Sequence, residues 1–136
     1  MDLSEIRDKY PDSKTFVFGD SKELCDGLTA LVIRGVKIAT CEALSTYASG
    51  EEEMPVLGRV DIALTWEQKP AVAIRTIEIE IKAFSEVEEG FALDEGENTD
   101  LAGWRKDHQE YFKRNGHFDI EMKVVCERFE VVEVYG

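Results

Sequence analysis

A lysine and a threonine three residues apart, Lys37 and Thr40, are the side chains in this sequence best suited to chemistry. Far along the chain, an acidic run with a central glycine, Asp94-Glu95-Gly96-Glu97, can turn a carboxylate inward. A lysine beside such a carboxylate can share a proton, activate a hydroxyl or water, or hold an anionic group. The sequence therefore predicts that Lys37 meets an acid inside a sheltered hollow; the alternative is that the acidic run is only solvated surface.

The elements before Lys37 are a helix and a glycine that ends it. Asp20 and Glu23 have the spacing of a capping box, with Asp20 as the capping residue. Apolar residues then recur at helical spacing over 21–34, and Gly35 ends the helix. A strand over 37–44 follows. In a regular strand Lys37 and Thr40 point to opposite faces, so the backbone must turn or bulge if both are to serve one pocket.

The acidic run lies between two predicted helices. Ser85-Glu86-Val87-Glu88 has the form of a second capping box before a short helix. Thr99 and Asp100 begin a longer helix that continues to about Arg114. One face of that helix carries Leu101, Trp104, His108, Tyr111 and Phe112. Among these aromatic rings, His108 is expected to be a packing residue rather than a catalyst.

The remaining segments predict a short helix and an antiparallel sheet. Residues 3–10 show helical spacing, 15–18 form a short apolar stretch, and 45–55 read as a solvated loop from which Tyr47 could reach the pocket. Alternation over 60–64 and 71–81 predicts a hairpin, and 122–135 predict a last long strand.

The phase of the second hairpin strand raises a question about one arginine. Ile77, Ile79 and Ile81 alternate and are interpreted as the buried set. Arg75 has the same parity, and a buried arginine is costly unless paired. Either a bulge near Thr76 resets the phase, or Arg75 faces a polar interior.

Length and composition bound the class of protein. The chain has 136 residues and is interpreted as one α+β domain over 1–136, a small antiparallel sheet, curved or closed, with helices against its rim. Its net charge of −13 repels polyanions, which excludes a broad nucleic-acid surface. The two histidines share no ligand spacing, so no metal is expected. Three cysteines without a CxxC pair, and no apolar run long enough for a membrane span, favour the cytoplasm.

Several segments, taken in order, resemble the ASCH family, whose members are PUA-like small β-barrels. The matching segments are Phe18-Gly19-Asp20-Ser21, Gly35-Val36-Lys37-Ile38-Ala39-Thr40-Cys41, Glu95-Gly96-Glu97, Leu101-Ala102-Gly103-Trp104-Arg105 and Val125-Cys126-Glu127-Arg128-Phe129. Many relatives have Gly-Lys-Lys where this chain has Gly35-Val36-Lys37, so one positive charge is missing here. The resemblance implies a barrel with a cleft beside the helix-to-strand junction and a role in RNA-related binding. One branch of the family removes the acetyl group from acetylcytidine, and another member is a ribonuclease.

That resemblance implies residue roles for a hydrolase. The GxKxxT motif falls on Lys37 and Thr40, and the third catalytic residue is Glu97, with Glu95 as the second candidate. Thr40 would be the nucleophile or would position water, Lys37 would act as base or polarise the amide, and Glu97 would orient Lys37 and shuttle a proton. Substrate-binding roles are assigned to Glu95, Tyr47, Arg75, Trp104 and Arg128.

Two further function classes remain open. In a non-catalytic binder, Lys37 with Arg75 or Arg128 would clamp a phosphate or a base edge. In a protein-interaction domain the cleft would receive a partner, which the acidic surface suits. The expected ligand is a nucleoside or a short single-stranded RNA segment, because long RNA and duplex DNA are repelled by the whole surface. No cofactor is expected.

Overall fold

A computed structural model describes residues 2–135 of the chain. The helices and strands follow one another in the order α1 Leu3–Lys9, β1 Thr15–Phe16, α2 Lys22–Ile33, β2 Ala39–Ala43, α3 Leu44–Ala48, β3 Val60–Leu64, β4 Pro70–Ala83, α4 Glu89–Asp94, α5 Leu101–Arg114 and β5 Lys123–Val134. A short 3₁₀ turn, Phe84–Glu86, joins β4 to the segment before α4. The predicted α+β class is confirmed.

The two long helices begin at side-chain caps. The hydroxyl of Ser21 accepts from the amide of Leu24 at the start of α2, so the predicted cap at Asp20 is wrong by one residue. Asp20 instead accepts from Arg114 and Asn115 at the C-terminal end of α5. The predicted start of α5 is confirmed, because the carboxylate of Asp100 caps its first turn.

The five strands form one mixed sheet in the order β1-β3-β4-β5-β2. The predicted hairpin of β3 and β4 is confirmed as antiparallel, and β5 lies inside the sheet between β4 and β2. Only β1 pairs in parallel, with β3. In the part of the chain that the structure describes, the ladder starts at β1 and ends at β2, so hydrogen bonding does not close it and the expected barrel is not confirmed.

Of the two alternatives raised for Arg75, the structure has the bulge near Thr76 in β4. The register between β4 and β5 shifts between Thr76 and Glu78, and Thr76 is buried while Arg75 is half-buried and paired with Glu130. Beyond the shift the strand extends past the core. The prediction that alternating isoleucines form a buried set is therefore wrong there: two of them are about half exposed, Ile77 at 52% and Ile81 at 49%.

Two segments differ from their predicted conformation. The chain leaves β2 directly into α3, a five-residue helix, where a strand end and a loop were expected. The second predicted capping box, at Ser85, is also wrong. Glu86 accepts from the amide of Ala83 within the 3₁₀ turn, and α4 begins after Glu88 without a side-chain cap.

Three apolar clusters hold the helices to the sheet. The cluster under α4 and α5 includes Phe84, Phe91, Trp104 and Phe112 packed on β2 and β5. The cluster under α2 joins that helix to β3, β4 and β5, and the cluster under α1 covers β3 and β4. Burial of this apolar surface is the main force that fixes α2 and α5 relative to β2.

Candidate functional site

The turn after α2 places Lys37 ahead of the strand rather than in it. Gly35 adopts a φ of +77°, a conformation that favours glycine. The amides of Val36 and Lys37 both donate to the carbonyl of Leu31, at 2.9 and 3.1 Å. Strand β2 begins only at Ala39, so strand alternation does not apply to Lys37. This turn lets Lys37 and Thr40 line the same cavity, as the sequence required.

A second glycine brings the acidic run onto this turn. Gly96 has a φ of +76°, and a Cβ at this position would lie 2.7 Å from the carbonyl oxygen of Val36. The amide of Ile38 also donates to the carbonyl of Asp94 at 2.9 Å. Backbone therefore lies directly on backbone here, which only glycine allows at position 96.

The ammonium of Lys37 lies between the two carboxylates that flank Gly96. Its Nζ donates to Oε1 of Glu95 at 3.1 Å and to Oε2 of Glu97 at 3.0 Å. The Lys37 side chain is 1% exposed and that of Glu97 is 22% exposed. The predicted meeting of Lys37 with an inward acid is confirmed, and it involves both candidate carboxylates rather than one.

The other oxygen of Glu95 is bound from α5. Oε2 accepts from the indole Nε1 of Trp104 at 2.6 Å and lies 3.3 Å from Nε2 of His108. The Nδ1 of His108 lies 2.9 Å from the carbonyl of Trp104, and the two rings stack with centroids 4.2 Å apart. Both imidazole nitrogens face acceptors, so the doubly protonated ring fits best. His108 is a packing residue, as expected, and is also an ion-pair partner of Glu95.

Side chains of opposite charge meet in a group that we call the lysine cluster, which consists of Lys37, Glu95, Glu97 and His108. Their charges shift one another's pKa. Burial alone would lower the pKa of Lys37, but the two glutamates raise it above its ordinary value. Burial would raise the pKa of Glu95, but Lys37 and His108 hold it well below its ordinary value. Burial opposes the charge on His108, and Glu95 outweighs that and raises its pKa. These shifts favour the charged forms of Lys37, Glu95 and His108.

The lysine cluster lies at a cavity of about 940 Å³. Thr40 and Tyr47 also line it, and burial raises the pKa of the Tyr47 hydroxyl. Eleven acidic side chains line the cavity against four lysines and arginines. A pocket of this size suits a small organic molecule. The excess of acid disfavours ligands with several phosphates.

Glu127, to which the sequence analysis gave no role, lines the same cavity from β5, an inner strand of the sheet. It is the register partner of Thr40 on β2, and its Oε2 accepts from the hydroxyl of Thr76 at 2.7 Å. Burial raises the pKa of Glu127 from 4.5 to about 7, although the Thr76 hydrogen bond opposes the rise. The available signal was an acidic residue directly after the apolar run Val124-Val125-Cys126.

Three residues expected to bind substrate do not line the cavity. Arg75 is paired with Glu130 at the surface. Arg128 donates to Asp94 and Glu78, at 3.0 and 2.9 Å. Trp104 is fully buried, and its indole nitrogen is occupied by Glu95. The structure thus brings together Lys37, Thr40, Tyr47, Glu95 and Glu97, and leaves the two arginines and the tryptophan outside.

Two other kinds of feature are absent from the part of the chain that the structure describes. Within residues 2–135, no group of three or more His, Cys, Asp or Glu is arranged to hold a metal ion. Over the same residues, no helix combines the length and apolar character needed to cross a membrane.

Comparison with known proteins identifies the family. The family model described as the ASCH domain matches residues 14–133. An ASCH domain from Lactobacillus crispatus JV V101 is 28% identical and superposes with a TM-score of 0.80 over 93% of this chain and 84% of that chain. Protein EF3133 from Enterococcus faecalis V583, assigned to the family model DUF984, is 34% identical to this chain. The two superpose with a TM-score of 0.82 over 96% of this chain and 85% of that chain. No match was found among the curated proteins. The chain belongs to the ASCH domain family.

Proposed function

We propose that the cavity binds a small nucleoside and that the protein hydrolyses an acyl amide on it, as in acetylcytidine. The observation that carries the proposal is a buried ammonium, Lys37, held between two carboxylates beside the hydroxyl-bearing Thr40 in one cavity. Amide hydrolysis needs a nucleophilic oxygen and a group that stabilises negative charge on the carbonyl oxygen. Both kinds of group are present here.

The charge balance of the cluster assigns Lys37 one of its two expected roles. Because Glu95 and Glu97 raise the pKa of Lys37, the ammonium keeps its proton and acts by polarising the amide carbonyl, not as a base. Glu97, the more exposed of the two acids, orients the ammonium toward the ligand. Thr40 supplies the nucleophilic hydroxyl.

The ligand in this proposal is a mononucleoside rather than long RNA. The acidic lining repels phosphates, and Arg75 and Arg128, the residues that could clamp a phosphate, are held in ion pairs outside the cavity. A short single-stranded RNA segment is the largest nucleic-acid ligand we propose. Three free cysteines suit a reducing compartment, so the cytoplasm is the proposed location.

Release of cytidine from acetylcytidine, followed by chromatography, tests the proposal. We expect turnover by the wild type, loss of at least about 100-fold in Thr40→Val and Lys37→Met, and wild-type rates in the surface control Lys22→Met. Adding phosphates to the substrate should lower the rate stepwise. Absence of release by the wild type overturns the proposal, as does an unchanged rate in Thr40→Val.

Binding without turnover is the second candidate. The lysine cluster favours this candidate, because each formal charge in the cluster already has a partner. The part of the cavity surface that the cluster forms therefore suits an uncharged base. The same samples separate the two candidates: a thermal shift with cytidine and acetylcytidine but no product supports binding alone.

A further inference from the structure

We propose that Glu127 is the acid–base residue of this cavity, taking the proton from the hydroxyl of Thr40 and passing it to the leaving nitrogen. The inference rests on the proposed amide hydrolysis and adds a residue to it. It also reassigns the proton transfer from Glu97 to Glu127.

The sheet register carries the inference. Thr40 and Glu127 are directly opposite residues of the antiparallel pair β2 and β5. Opposite residues in such a pair project to the same face of the sheet, with Cβ atoms about 4.5–5.5 Å apart. Both residues line the cavity. A carboxylate on this partner position can therefore reach a hydroxyl proton without any movement of the backbone.

The hydrogen bonds around Glu127 leave it one oxygen for this task. The hydroxyl of Thr76 holds Oε2 at 2.7 Å, which fixes the orientation of the carboxyl group and leaves Oε1 as the acceptor. Glu97, by contrast, is engaged with the Lys37 ammonium at 3.0 Å. The Glu97 carboxylate is therefore already committed to an ion pair.

The surroundings of Glu127 suit a group that exchanges a proton near neutral pH. Burial is the main reason that its pKa rises to about 7, and Asp61 adds to the rise. The charges that oppose the rise come from Arg59, itself bound to Asp61 at 2.8 Å, and from Lys37. A general acid–base residue works best when its pKa lies near the operating pH.

The proposed steps conserve every atom and proton. The Thr40 oxygen bonds to the acyl carbon while its proton moves to Glu127, and Lys37 stabilises the oxyanion. The carbon–nitrogen bond then breaks, and the proton on Glu127 goes to the departing amine. Water next attacks the threonyl ester, giving a proton to Glu127. That proton returns to the Thr40 oxygen as the carboxylic acid leaves.

The experiment is a pH–rate profile of acetylcytidine hydrolysis for wild type and matched variants. We expect kcat/KM of the wild type to rise with pH through about 7, because the base must be ionised. Glu127→Gln should lower kcat about 10²–10⁴-fold and remove this limb. Glu130→Gln, an exposed acid on the same strand, should keep the wild-type profile.

Two more variants separate this inference from a purely structural role and from the role of Glu97. Thr76→Val removes a hydrogen bond that lowers the pKa of Glu127, so it should move the limb to higher pH while hydrolysis persists. Glu97→Gln should lower the rate but keep the limb. If the limb disappears in Glu97→Gln and remains in Glu127→Gln, the inference is overturned and the hydrolase stands. If the wild type releases no cytidine, both are overturned.

Discussion

Two buried carboxylates, Glu95 and Glu127, line one cavity from different parts of the fold and have different neighbours. Glu95 lies 3.1 Å from the Lys37 ammonium and 3.3 Å from His108, and these cations hold its pKa well below the ordinary value. Within residues 2–135, the carboxyl group of Glu127 has the hydroxyl of Thr76 and no cation at hydrogen-bond distance, and burial raises its pKa to about 7. Both groups are almost fully buried, so burial does not distinguish them. The adjacent cation decides whether a buried acid keeps a fixed charge or can exchange a proton.

Removal of the cation from the lysine cluster should have the largest effect. Lys37→Met leaves Glu95 and Glu97 without their ammonium, and breaking a buried pair costs about 3–5 kcal/mol. We expect the free energy of unfolding, measured by urea denaturation, to fall by this amount. Lys22→Met, which breaks exposed pairs with Asp26 and Glu67, should leave the unfolding midpoint close to that of the wild type. A Lys37→Met protein as stable as the wild type would remove the distinction between Glu95 and Glu127.

A methyl group at position 96 should break the same cluster through the backbone. In Gly96→Ala the new Cβ would lie 2.7 Å from the Val36 carbonyl oxygen at a φ of +76°. We expect a loss of about 2–4 kcal/mol in unfolding free energy, from backbone strain and overpacking together.

The matched control, Gly27→Ala, should change the free energy of unfolding in the opposite direction. Gly27 lies within α2 with nothing within 4 Å of an added Cβ, so Gly27→Ala should stabilise the protein by about 0.4–1 kcal/mol. Equal effects of the two substitutions would contradict the close contact between the acidic run and the turn after α2.

Removing the charge of Glu127 should raise the free energy of unfolding of the protein. A folded-state pKa of about 7 against an ordinary 4.5 means that the neutral carboxyl contributes stability at acid pH, and this is lost as the pH rises through 7. Since one pKa unit corresponds to about 1.4 kcal/mol, a rise from 4.5 to about 7 means that Glu127→Gln should be more stable than the wild type at pH 9 by up to roughly 3.5 kcal/mol.

The comparison of pH values supplies the internal control. At pH 4, below the ordinary pKa of 4.5, position 127 is uncharged in the folded wild type and largely uncharged in the unfolded wild type, so Glu127→Gln should differ little from it in urea unfolding. A variant that is less stable than the wild type at pH 9 would show that the Glu127 carboxylate has a compensating partner. Glu127 would then resemble Glu95.

The smallest effect is expected from the histidine of the lysine cluster. The raised pKa of His108 means that its ion pair with Glu95 contributes fully below pH 6.5 and is lost as the pH rises through the folded-state pKa. His108→Gln should therefore cost about 1–2 kcal/mol at pH 5.5 and less at pH 9, in urea unfolding. His117→Gln, at an exposed residue after α5, should change neither value. A cost independent of pH would point to ring stacking alone.

Sequence reasoning was correct where the conformation follows from residues that are close together in the chain. Gly35 after a helical run and Gly96 within an acidic run both marked backbone with positive φ, and the structure has it at both positions. The conflict between the phase of Arg75 and the cost of burying it left two alternatives, and one of them was the bulge near Thr76 that the structure has. Each inference used neighbours within a few residues along the chain.

Sequence reasoning failed where the answer depended on distant contacts. The role of Glu127 depends on β5 lying between β4 and β2, and pairing partners are not encoded in strand periodicity. Alternation at Ile77 and Ile81 indicated a strand but not that it extends past the core. That Trp104 would bind Glu95 rather than a ligand required the position of α5 relative to α4.

The contact between Gly96 and the Val36 carbonyl has a practical consequence. The hollow is assembled from segments far apart in the chain, so it exists in the native protein and not in the unfolded one. Any molecule that fits it must raise the melting temperature, and one present at 100 times its Kd stabilises the native state by about 2.7 kcal/mol. A thermal-shift screen of nucleosides, modified bases and other small polar compounds can thus find the natural ligand even when that ligand is bound without being converted.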